Sequence, residues 1–95
     1  MENLKSSGNS KKRRPKRQRM SLYLMNDNIN SFDYVMHVLM NIIPMCNSLQ
    51  AEQIARLVHD SGECKIYTGF APTIYIIYAQ ITKSGLSAKL KLDQK

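Results

Sequence analysis

Cysteine is scarce in this 95-residue chain. Cys46 and Cys64 are the whole supply, and neither has a Cys or His neighbour at metal-ligand spacing. That argues against a disulfide framework or a zinc site and points to a reducing, cytoplasmic setting. Long apolar runs are missing too. No stretch approaches the ~20 residues of a membrane span. The basic N-terminus has no apolar segment behind it, so it does not read as a secretory signal. Catalytic signatures are equally thin, with no Gly-rich phosphate loop and no nucleophile elbow. The histidines are two, His37 and His59. Nothing here points to an enzyme, a metal or a cofactor.

What is abundant is positive charge, and its location matters more than its total of +7. Residues 1–19 carry eight Lys and Arg against the single acid Glu2, whereas residues 20–95 are balanced at six against six. The segment 1–19 has almost no apolar side chains to offset the entropy of ordering it, so it reads as a disordered basic extension. Its block KKRRPKRQR, Lys11 to Arg19, suits an acidic partner or a nucleic acid. It lacks the aromatics and signatures of specific RNA recognition. A solvated tail that keeps a small protein soluble is the plainer alternative.

From Met20 onward the pattern is that of one small folded domain, 20–95. SLYLM reads as a strand with Leu22 and Leu24 on one face. Ser31 is a good helix cap with Asp33 in the first turn. Val35, Val38, Leu39 and Ile42 then recur at helical spacing to about Ile43, before Pro44 and Asn47 break the pattern. Asn47 or Ser48 caps a second helix with a stripe of Ala51, Ile54, Ala55 and Val58, ended by Gly62. ECKIYT alternates as a second strand. FAPTIYIIYAQITKSG is rich in strand formers. Yet Pro72 suits a helix start, Lys83 and Gly85 suit an end, and Ile74, Ile77, Tyr78 and Ile81 keep helical spacing, so a third helix is expected. AKLKLD closes as a half-buried strand, with Ala88, Leu90 and Leu92 on one face. The expectation is an α+β fold of order β-α-α-β-α-β: a three-stranded antiparallel sheet with helices packed on one side.

Taken singly, the polar residues have plain explanations. His37 lies among the apolar residues of the first helix and reads as structural or surface. Asn26, Asp27 and Asn28 follow a strand and precede a helix, where Asn and Asp make turns and caps. His59 lies at the edge of the apolar stripe of the second helix.

Together they say more. LMNDNINSFDYVMHVL, followed about twenty residues later by ARLVHD and a glycine, resembles the ClpS family of Clp protease adaptors, over residues 20–95. The resemblance implies a non-enzymatic adaptor that binds N-degrons and delivers them to an AAA+ unfoldase of the ClpA or ClpC kind. By the same resemblance Asn26, Asp27 and His59 hold the α-amino group, and Asn28 and Asn30 add a polar rim. Phe32, Val35, Ala55, Val58 and Ala88 line the hydrophobic pocket. The chemistry is coherent. An N-terminal ammonium needs fixed acceptors, which an amide oxygen, a carboxylate and an imidazole nitrogen supply. An apolar pocket beside them takes the first side chain.

The chain departs from the family pattern at three places. Asn28 replaces an Asp and Asn30 stands near a Thr, which weakens attraction to a cation. Ala55 replaces a Met, which widens the pocket towards β-branched first residues unless Phe32 refills the space. Pro72, Tyr75 and Ile77 stand where the family carries charged residues that dock the unfoldase, leaving an apolar and aromatic surface there. The resemblance also implies that the unfoldase engages the N-terminal extension. Two alternatives remain: a small RNA- or ribosome-associated protein acting through its basic tail, and a ClpS-like protein that keeps the fold without delivery.

Overall fold

The computed structural model describes residues 18–93. The elements are β1 (Met20–Met25), α1 (Phe32–Ile42), α2 (Ser48–Ser61), β2 (Glu63–Gly69), α3 (Thr73–Lys83) and β3 (Ser87–Leu92). Their order is the expected β-α-α-β-α-β. The sheet runs β2-β1-β3, so β1 is central, and both pairings are antiparallel.

Local chemistry explains most of the boundaries. The Ser31 side chain accepts from the Tyr34 backbone N–H at 3.1 Å and starts α1. Asn47, not Ser48, caps α2. Its side chain accepts from Gln50 N–H at 2.8 Å, while Gln50 Oε1 accepts from Asn47 N–H at 3.3 Å, a reciprocal capping box. Gly62 ends α2 in the left-handed region at φ 92°, where a Cβ is costly. Pro72 stands immediately before α3, whose three buried isoleucines, Ile74, Ile77 and Ile81, explain why helical spacing outweighed strand propensity.

The core lies between the sheet and the helices. Leu22 and Leu24 from β1 meet Val38 and Leu39 from α1, Ala51 and Val58 from α2, and the α3 isoleucines. Each Leu, Val or Ile side chain taken fully from water contributes roughly 1.5–3 kcal/mol. α3 lies across all three strands, α2 covers β2, and α1 packs on both helices. The opposite sheet face stays polar, with Lys91 Nζ 4.4 Å above the Tyr23 ring and Glu63 paired to Lys89 and Lys91.

Three expectations need correction. β2 does not simply alternate: Leu22 faces Tyr67 but Tyr23 faces Lys65, so Ile66 is an extra residue in a bulge. Ile66 and Tyr67 therefore both reach the core. Leu92, expected on the buried face, is 52% exposed at the end of β3. Ile77, expected on the α3 docking surface, is buried in the core, while its neighbours Tyr75 and Ile76 are about half exposed. Of the basic extension, residues 1–17 lie outside the described residues. Arg19, assigned to that extension, pairs with Asp93 at 3.1 Å, and its carbonyl accepts from Asp93 N–H.

Candidate functional site

A cavity of about 400 Å³ opens where β1 ends, between α1 and α2. Its apolar wall comes from Leu24 and Met25 of β1, Phe32 and Val35 of α1, Ala55 and Val58 of α2, and Leu86. Its polar side comes from Asn26, Asp27, Asn28, Asn30 and His59. Nine of the ten residues singled out in the sequence thus meet at one opening. The tenth, Ala88, does not line it: it faces Leu24 in the sheet register and packs against the core. Leu86 occupies that wall instead. Only its place just after the Gly85 turn, at φ 93°, marks it in sequence.

Tertiary packing makes the polar groups converge. Asn26 N–H donates to the Gly62 carbonyl at 2.9 Å, fastening the end of β1 to the C-cap of α2. Gly62 then turns the chain so that Glu63 pairs with Met25. The last turn of α2, which carries His59, is thereby set beside Asn26. Among the described residues, the side chains of Asn26, Asn28 and His59 have no hydrogen-bond partner, and all three are exposed. They are available to a ligand.

Asp27 is differently placed. Its Oδ1 accepts from the backbone N–H groups of Ile29 and Asn30, each at 3.0 Å, and its Oδ2 accepts from Asn30 Nδ2 at 3.0 Å. The Asn30 backbone donor above all, then those of Ile29, the Asn30 side chain and Ser87, outweigh partial burial and hold its carboxyl below the ordinary aspartate value. The site therefore presents a fixed negative charge beside three unpaired polar side chains and an apolar hollow. That arrangement suits a small cation attached to a hydrophobic group.

Other candidates fall away from this site. His37 is exposed on α1, its Nε2 3.0 Å from Asn41 Nδ2. Cys46 and Cys64 are free thiols, and burial pushes both up, away from reactivity. Among the described residues no cluster of His, Cys, Asp or Glu can hold a metal ion. No helix among them is long and apolar enough to cross a membrane.

The fold and the half-polar, half-apolar hollow define a small α+β domain with a ligand-sized cavity at the end of its central strand. The family model "ATP-dependent Clp protease adaptor protein ClpS" matches residues 15–89, and the chain belongs to the ClpS family. Members of this family are adaptors rather than enzymes. Among solved structures, ClpS2 of Agrobacterium tumefaciens bound to L-phenylalaninamide is similar, with a TM-score of 0.67 at 13% identity. The match covers 80% of this chain and 98% of that one. No curated protein matches the sequence.

Proposed function

We propose that this adaptor binds polypeptides by a free α-amino group and a bulky hydrophobic first residue, and passes them to an AAA+ Clp unfoldase. The observation that carries the reading is the cavity itself, where Asn26, Asp27 and His59 border an apolar hollow of about 400 Å³. The α-ammonium lies against the Asp27 charge, with the Asn26 oxygen and a His59 nitrogen as further acceptors. The first side chain enters between Phe32, Val35, Ala55, Val58 and Leu86. L-Phenylalaninamide, the ligand of the Agrobacterium protein, has that chemistry: an amine beside a benzyl group. No bond is made or broken, so no catalytic group is required. Ala55 in the wall leaves room for β-branched first residues. Tyr75 and Ile76, exposed on α3, form the surface we assign to the unfoldase, of the ClpA or ClpC kind. The setting is cytoplasmic.

Fluorescence anisotropy tests the reading with a labelled peptide that begins with Leu, beside its N-acetylated form. Binding in the micromolar range that acetylation abolishes is expected. Equal binding of both forms refutes recognition of the amine. The charge of the N-terminal extension favours a second reading, binding to RNA or the ribosome. Deleting residues 1–19 separates the two. The adaptor keeps peptide affinity and loses delivery, whereas an RNA binder loses binding that is steeply salt-dependent.

A further inference from the structure

We propose that Asn30 is a positioning residue for this site: its carboxamide orients the Asp27 carboxylate and fastens that loop to the opposite wall at Gly85. The proposal rests on the peptide-binding reading above. It differs from a role for Asn30 as a rim residue touching the ligand. Asn30 Nδ2 lies 3.3 Å from Asp27 Oδ1, 3.0 Å from Asp27 Oδ2 and 3.0 Å from the Gly85 carbonyl oxygen. An atom surrounded by carboxylate and carbonyl oxygens must be the nitrogen, because the amide oxygen would meet only acceptors there. Its two hydrogens are consumed by those contacts, so none remains for a ligand.

The placement gives this bond leverage. The loop between β1 and α1 is held at one end by Asn26 N–H on Gly62 and at the other by the Ser31 cap. Between them the Ile29 side chain is 90% exposed and anchors nothing, while its backbone N–H donates to Asp27 Oδ1. The Asp27–Asn30 pair is what closes the loop on itself, and the Gly85 bond ties it to a turn 55 residues away. Leu86, the next residue, lines the cavity. Asn30 thus sets the gap between the anionic lip and the apolar wall. A second tie joins the same segments, Tyr34 OH donating to the Ser84 carbonyl at 2.6 Å. Tyr34 does not line the cavity and makes no hydrogen bond to Asp27, so it serves as an internal control.

The full chain is compared with N30A, N30D and Y34F by anisotropy with the Leu-first peptide, by thermal melting, and by NMR titration of the Asp27 carboxyl. N30A is expected to weaken binding by about tenfold or more, the scale of one charge-assisted contact, and to move the Asp27 titration to higher pH as a donor is lost. N30D keeps the shape, removes both donors and adds a like charge, so it moves the titration up as well. Y34F lowers the melting temperature while leaving peptide affinity and the Asp27 titration unchanged. Wild-type affinity in N30A, an unmoved Asp27 titration in both Asn30 variants, or an equal loss of affinity in Y34F overturns the proposal. If the wild type binds no free-amine peptide, the functional reading falls, and the NMR titration still decides whether Asn30 holds Asp27.

Discussion

The Asp27 carboxylate carries the heaviest electrostatic demand, and Asp27→Asn is the cleanest way to measure it. The substitution keeps the side-chain volume and leaves one oxygen to accept from Ile29 and Asn30 N–H. A carboxylate offers about four acceptor positions. Oδ1 is crowded by three contacts, whereas Oδ2 is held by Asn30 Nδ2, with the Ser87 backbone a weaker further donor to the carboxyl, so Oδ2 keeps capacity for an ammonium. Opposite charges about 4 Å apart gain about 1 kcal/mol in bulk water and about 4 kcal/mol at an effective dielectric of 20. Asp27 is half-buried at a cavity open to solvent, so an intermediate value of about 2 kcal/mol applies, or about 30-fold in Kd. Anisotropy with the Leu-first peptide at low and high salt reads it directly. Wild-type affinity falls with salt and the variant's falls less. A loss under about threefold, or an unchanged salt dependence, refutes the electrostatic account. The same group gives a pH prediction. Its folded pKa is depressed, so its stabilising contribution is present above the ordinary value of 3.8 and is lost as pH falls through the lower folded value. The stability difference between wild type and D27N therefore shrinks on acidification below about pH 3.8, as thermal melts will show.

Three further predictions concern packing and caps. Ala55→Met puts three more non-hydrogen atoms into the cavity wall and should cost Ile-first and Val-first peptides about tenfold more affinity than Leu-first ones; parallel losses by anisotropy reject the wide-pocket account. Leu39→Ala empties a fully buried position and should lower unfolding free energy by roughly 2–5 kcal/mol in urea titration. A change below about 1 kcal/mol means that the core collapses around the gap. Asn47→Ala removes the side-chain acceptor of Gln50 N–H, one half of the α2 capping box, and should cost about 1 kcal/mol by the same assay, leaving peptide affinity unchanged.

Periodicity read the helices well because their apolar faces are regular. Ile74, Ile77 and Ile81 all became core, and this overrode the strand preference of Ile and Tyr in α3. It read β2 less well, since a bulge adds one residue without any mark in ECKIYT. The α3 surface shows the same limit. Ile77 kept the helical spacing of the stripe yet was also assigned to the docking surface, and packing sends it inward while Tyr75 stays at the surface.

The site divides along the same line. The residue types and order of NDN and ARLVHD were set in the chain, and with them the acceptors, the pocket side chains and the placement of caps at Ser31, Asn47 and Gly62. These are local properties, fixed by side-chain chemistry and by neighbours within a turn. Which residues meet was decided by the tertiary structure alone. The Asn26–Gly62 bond brings His59 to the end of β1, Ala88 packs on the core off the cavity wall, and Leu86, just after the turn at Gly85, stands there instead. The Asn30 contact with Gly85 spans 55 residues. Such contacts depend on how separate elements pack, and no spacing within one element encodes them.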